Sequence, residues 1–218
     1  MKKLLFSFFV IVISTVSLIA QVDRQQVLIE AGTGTGCQYC PGVSVTLHEL
    51  YEAGDPIAAV KYHSYNAGDP LDSPEAAARS SYFGITGYPH TQFDGEYDEH
   101  GGGSTGSSLY STFLPKVTAR MAIQTDFTIE IFGDNTGNNY NIIVRVNKVS
   151  DYSGSNLKVR FALTETDIPY NWQNQSMITY CERTMAPDEN GTPLTITTGQ
   201  EVDVNLNFTF DNTWVASN

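Results

Sequence analysis

The sequence predicts an exported α/β domain followed by an all-β sandwich, and three observations carry that prediction. The first is the dithiol Cys37-Gln38-Tyr39-Cys40, set between an apolar strand pattern and an apolar helix pattern. The second is a switch near residue 118 from alternating strand and helix patterns to period-two alternation. The third is the start of the chain, where Lys2 and Lys3 precede an uncharged apolar run from Leu4 to Ala20. The expected boundaries are a leader over 1–20, an α/β domain over 21–118 and a sandwich over 119–218.

The leader reads as a signal peptide cleaved at Ala20-Gln21, although Leu18 is bulkier than such a site prefers. Its apolar run is short for a bilayer span, so no membrane span is expected after cleavage. No Cys stands at the cleavage point, so no lipid anchor is indicated. Export points to the periplasm, outer membrane or cell surface, compartments where disulfides persist. The formal charge is −12, and loss of Lys2 and Lys3 makes the chain more acidic still. Nucleic acid and anionic lipid are therefore disfavoured as partners.

Within 21–118 the elements follow in order. Gln26 to Glu30 reads as a buried strand, and Val43, Leu47, Leu50 and Tyr51 space a helix whose first turn holds Pro41. Ile57 to Tyr62 is a second apolar strand. Ser73-Pro74-Glu75 starts a helix, with Ser73 as its cap, that runs to Tyr82. Thr91 to Phe93, the turn Asp94-Gly95 and Glu96-Tyr97 form a hairpin, and Leu109, Phe113 and Val117 space a closing helix. From Ala119 four alternating runs follow: Met121 to Ile131, Tyr140 to Val146, Leu157 to Leu163, and Val202 to Phe210. Gly133-Asp134-Asn135, Ser153-Gly154-Ser155 and Asn190-Gly191 read as the turns between them. A sandwich ending at Asn218 reads as one or two strands short, with an exposed edge.

A strand, a C-x-x-C and a helix make a redox dithiol. Amide N–H groups at a helix start and the positive end of its dipole favour a thiolate at the first sulfur. Cys37 is then the nucleophile and the more exposed sulfur, and Cys40 the resolving thiol. Competing readings are an inert structural disulfide and half of a zinc site. Zinc needs two more ligands, and Cys181 with the four histidines forms no second paired motif. Haem attachment would need His after Cys40, where Pro41 stands. No cofactor and no metal are expected. Cys181 is the odd thiol, either paired outside this sequence or buried as a small hydrophobe.

Gly84-Ile85-Thr86-Gly87-Tyr88-Pro89, following the C-x-x-C, resembles the thioredoxin superfamily, in which such a segment sets a cis-proline against the dithiol. The resemblance implies that Pro89 is that proline and that Tyr88 presents its backbone to a substrate peptide. The match extends through Glu30, Thr33, Gly34, Tyr62-His63, Asp69-Pro70, Ser73 to Ala76 and Tyr82 to Ile85. Together these resemble the thioredoxin-like family related to a bacterial outer-membrane protein of about twenty-eight kilodaltons. The fold so implied is a thioredoxin-like domain followed by an immunoglobulin-like sandwich. Two departures stand out. Thioredoxins carry an aromatic residue before the first Cys, where Gly36 stands, and the run Ala31 to Gly36 reads as a flexible approach to the dithiol. Glu30 is the only acid placed to take a proton from Cys40, one residue further back than the pattern has it. His90 and His63 are read as structural in preference to catalytic.

Two functions from different classes follow. One is an exported thiol-disulfide oxidoreductase acting on protein thiols or disulfides through Cys37, Cys40, Pro89, Tyr88 and Glu30. The other is a non-enzymatic surface or adhesion module with a fixed disulfide, binding an envelope or surface partner through its sandwich.

Overall fold

The computed structural model describes residues 20–104 and 106–214. The predicted leader, Ala20 apart, lies outside the described residues. The α/β half opens with β1 (Val27–Thr33), α1 (Cys40–Glu52), β2 (Ile57–His63) and α2 (Pro74–Tyr82). It continues with β3 (His90–Phe93), β4 (Tyr97–His100) and α3 (Tyr110–Met121). Ser73 caps α2 as expected, its hydroxyl accepting from the Ala76 N–H at 2.9 Å. No helix among the described residues is long and apolar enough to cross a membrane.

Strand alternation sorts the core into two layers. Val27, Ile29 and Ala31 point to one face of the sheet, where Val43, Leu47 and Leu50 of α1 and Phe113 and Val117 of α3 cover them. Phe93 and Phe113 meet edge to face there, with ring centroids 5.1 Å apart. On the opposite face Val60 and Tyr62 pack against Ala76 of α2 and Met185. Glu30 is buried on that side too, paired with Arg79 at 2.7 Å and accepting the Tyr62 phenol at 2.9 Å. Removing one partner of such a buried pair costs about 3–5 kcal/mol, because the other charge is left uncompensated.

The second half contains β5 (Phe127–Thr136), β6 (Asn139–Lys148), β7 (Lys158–Val159), β8 (Phe161–Glu165) and β9 (Ile168–Trp172). Then follow β10 (Gln175–Ile178), β11 (Cys181–Ala186), β12 (Thr192–Pro193) and β13 (Glu201–Thr209). Three of these form an antiparallel sheet in the order β13-β6-β5. Its inner face, with Ile142, Val144, Val146, Val204 and Leu206, packs against Val159, Ala186 and Ile196.

The strands do not divide between sheets at residue 118. A six-stranded sheet runs in the order β4-β3-β1-β2-β11-β8, so two strands of the second half extend the sheet of the first. β1 and β2 are parallel, and β11 joins the outer edge of β2 where Cys181 stands opposite Lys61. The Lys61 N–H donates to the Tyr180 carbonyl at 2.7 Å. The reason is the open edge of β2, whose buried backbone groups need partners that 21–118 alone does not supply. Period-two alternation gave the strand character of Phe161 to Leu163 correctly, but it carries no information on which sheet a strand enters.

Three smaller expectations also change. Met121 belongs to α3 and not to the first strand of the sandwich. Gly133-Asp134-Asn135 is not a turn, because β5 continues to Thr136 and the reversal falls at Gly137-Asn138. Gly137, at φ 60°, takes the first position of that two-residue turn, which favours a residue without Cβ. Ala31 to Thr33 belongs to β1, so the approach to the dithiol is half strand.

Candidate functional site

The loop after β1 is fixed by one carboxylate. Asp69 accepts the Thr35 N–H at 2.5 Å, the Thr35 hydroxyl at 2.9 Å and the Leu71 N–H at 3.0 Å. His63 Nδ1 lies 3.3 Å from Oδ1, the oxygen that also accepts from Leu71. Burial pushes the Asp69 pKa up, but these hydrogen bonds outweigh it and bring it down to about 2. Burial likewise lowers the His63 pKa. Gly34 and Gly36 are tightly packed: a Cβ on Gly34 would run into Tyr65, and one on Gly36 would sit 3.0 Å from the Asn66 side-chain oxygen. The approach expected to be flexible is thus held in place.

Cys37 and Cys40 form a disulfide at the start of α1, whose first residue is Cys40, with Pro41 in the first helical turn. Cys37 was expected to be the more exposed sulfur, and both residues are buried, at 2% and 0% exposed. The cover comes from far along the chain. Trp172 and Ile178, the two ends of the β9–β10 hairpin, pack with Leu71, Cys181 and the two cysteines in one cluster, and Tyr88 and Ile168 lean on it. The Gln173 amide donates to the Thr35 carbonyl at 3.3 Å, tying the hairpin turn to the loop before Cys37. The Trp172 indole N–H donates to the Met177 carbonyl at 3.0 Å. The aromatic shield absent at Gly36 is therefore supplied by Trp172.

The segment Gly101–Gly103 closes the other side. The Gly101 N–H donates to the Pro89 carbonyl at 2.9 Å, and the Gly103 N–H to the Tyr39 carbonyl at 2.9 Å. The Gly103 carbonyl in turn accepts the Gly42 N–H of α1 at 2.6 Å. A Cβ on Gly102 would fall 2.6 Å from the Pro89 ring and against the Tyr39 carbonyl, so the strap passes between proline and C-x-x-C only because it is glycine. The Tyr88-Pro89 bond is cis, as expected, and so is Ala186-Pro187, which nothing in the pattern indicated. The Tyr88 hydroxyl lies 3.0 Å from the Ser64 hydroxyl.

Cys37, Cys40, Tyr88 and Pro89 are thus brought together, and Glu30 is not. Alternation along β1 turns Glu30 to the α2 face, away from α1 and its dithiol. The position beneath α1 belongs to Lys61, which stands opposite Ala31 on β2. Its ammonium donates to Ser44, one helical turn after Cys40, at 2.9 Å, and to the Thr179 hydroxyl at 3.3 Å. It also faces the Trp172 ring at 5.9 Å. Burial brings its pKa down to about 8, while the neighbouring Cys181 opposes the shift. A lone lysine in the apolar strand Ile57–His63 was the available signal for it. Trp172 had no such signal, because nothing local ties it to residue 37.

Cys181 is free and fully buried in the same cluster as the disulfide, its thiol donating to the Glu182 carbonyl at 3.3 Å. Burial pushes its pKa to about 12, which makes it a poor nucleophile in this conformation. His90 does not join the dithiol; its imidazole lies over the β3–β4 hairpin, with ring centroids 3.8 Å from His100.

The arrangement can hold a C-x-x-C disulfide at a helix start, shield it from water and set a buried ammonium below it. No protein-family model and no curated protein matches the chain. Among solved structures, the fold is similar to that of HBP35 of Porphyromonas gingivalis. The TM-score is 0.69 at 16% sequence identity, over 88% of this chain and 67% of that one, so the likeness is one of fold.

Proposed function

We propose that this chain is an exported thiol-disulfide oxidoreductase acting on protein thiols or disulfides outside the cytoplasm. The observation that carries the reading is the Cys37–Cys40 pair at the start of α1, between Pro89 and the buried Lys61. In the reducing direction the Cys37 thiolate attacks a substrate disulfide, forming a mixed disulfide and releasing one substrate thiolate. Cys40, deprotonated, then attacks the Cys37 sulfur, re-forming the Cys37–Cys40 bond and releasing the second thiolate. Two electrons pass from the dithiol to the substrate, and the reverse sequence oxidises a substrate dithiol. The Lys61 ammonium favours the thiolate and, with a pKa of about 8, exchanges protons near neutral pH where an ordinary lysine stays charged. Access requires the β9–β10 hairpin to lift from the sulfurs.

Cysteine variants test this. Cys40→Ser is expected to accumulate mixed disulfides with protein partners, seen as adducts that dithiothreitol releases, and Cys37→Ser to form none. Equal trapping by both variants would contradict the assigned order of attack.

The low exposure of Cys37 favours a second reading, a fixed disulfide in a surface or adhesion module. In that case neither variant traps anything, and reduction changes stability alone.

A further inference from the structure

We infer that the β3–β4 hairpin carries a binding site for a divalent first-row transition metal ion, formed by His90, Asp98 and His100. Antiparallel register sets His90 opposite His100 and Gln92 opposite Asp98, so all four side chains rise from one face of the hairpin. The His100 Nε2 lies 2.9 Å from Asp98 Oδ2, and the His90 Nε2 3.7 Å from the same oxygen. One donor atom from each of the three residues falls within 4.8 Å of the other two. Bond lengths of about 2.0–2.2 Å to imidazole nitrogen and carboxylate oxygen let a single ion reach all three after small side-chain rotations.

The chemistry of the donors selects the ion. Two imidazoles and one carboxylate suit zinc, copper, nickel or iron(II) better than magnesium or calcium, which prefer all-oxygen shells. Three protein ligands leave a position for water or a ligand from outside.

The site combines a rigid anchor with two reachable arms. The His90 side chain is 4% exposed, whereas those of Asp98 and His100 are 55% and 64% exposed. His90 Nε2 lies 3.0 Å from the Gln92 amide nitrogen, a contact that an ion on Nε2 would displace. Its buried Nδ1 has no hydrogen-bond partner among the described residues. An ion held by the three donor atoms would take the place of the His100–Asp98 and His90–Gln92 contacts. The inference is independent of the redox reading, since neither cysteine takes part.

The test is a zinc titration of the untagged chain by calorimetry, with nuclear magnetic resonance of the histidine rings. Expected are one zinc ion per chain, ring shifts at His90 and His100 with none at His48 and His63, and affinity at least about tenfold weaker in both Asp98→Asn and His100→Ala. Both substituted side chains are exposed, so these variants should fold, and His48→Ala serves as the control that leaves binding unchanged. Binding no tighter than millimolar, binding that survives either hairpin substitution, or binding lost in His48→Ala would overturn the inference.

Discussion

Lys61 shows what a single buried residue does to the chemistry around it. Its ammonium is enclosed by Ser44, Thr179 and the Trp172 ring, and burial lowers its pKa to about 8. Below that value the charged form lies one helical turn from Cys40 and favours a thiolate nearby. Lys61→Met is expected to raise the apparent pKa of the first reactive thiol by about one unit, or about 1.4 kcal/mol. The pH dependence of alkylation after mild reduction reads this directly, and an unchanged profile would remove Lys61 from the site. The same substitution has a stability signature. A lysine whose folded pKa is lowered costs stability while it is charged, and that cost fades as pH rises from about 8 towards its unfolded value. Lys61→Met should therefore gain on the parent protein at pH 7 and converge with it above pH 10.

The same residues show how much of the site was legible in advance. Cys37, Cys40 and Pro89 could be picked out because the C-x-x-C and the segment ending at Tyr88-Pro89 are each short local motifs. Glu30 could not be placed by counting back from the dithiol. A shift of one residue in a strand reverses the face, and Glu30 is occupied by Arg79 and Tyr62 on the α2 side.

Among the elements, the β9–β10 hairpin decides access to the disulfide. Along the chain it links β8 to β11, the paired strands that extend the first sheet, and it lays Trp172 and Ile178 on the cysteines. Both turn residues, Gln173 and Asn174, adopt positive φ of 44° and 61°, the geometry of a tight two-residue hairpin. Trp172→Ala is expected to expose Cys37 and speed reduction of the disulfide by a small phosphine about tenfold, with a lower Tm from the lost packing. An unchanged rate would show that the hairpin does not gate the sulfurs. The hairpin was hidden from sequence reasoning because Ile168 to Ile178 has neither a long period-two run nor a Gly-rich turn. The Ser73 cap and Pro74 start of α2, by contrast, were legible because capping is local chemistry.

For the whole molecule, the joining of both halves into one sheet is the chief departure from the sequence reading. Glu182 of β11 reports that junction. It is 2% exposed and accepts the hydroxyl of Ser73, the cap of α2, at 2.7 Å. Burial raises its pKa to about 7, which the Ser73 hydrogen bond only partly offsets. An acid with a raised folded pKa supports the fold while protonated and loses that support as pH rises through the folded value. Glu182→Gln should thus gain stability relative to the parent between about pH 4.5 and 7, by up to about 3 kcal/mol at pH 8. Urea unfolding of both proteins at pH 4 and pH 8 checks it, and a pH-independent difference would contradict a buried, linked carboxyl at the junction.

The reduction potential of the Cys37–Cys40 couple tests the central claim most directly. Equilibration with glutathione or dithiothreitol buffers, followed by quantification of alkylated Cys37, gives the value. A redox-active centre predicts a potential above about −300 mV, within the range of about −270 to −120 mV spanned by thiol-disulfide oxidoreductases. A potential below about −300 mV would mark the disulfide as structural and contradict the proposed function.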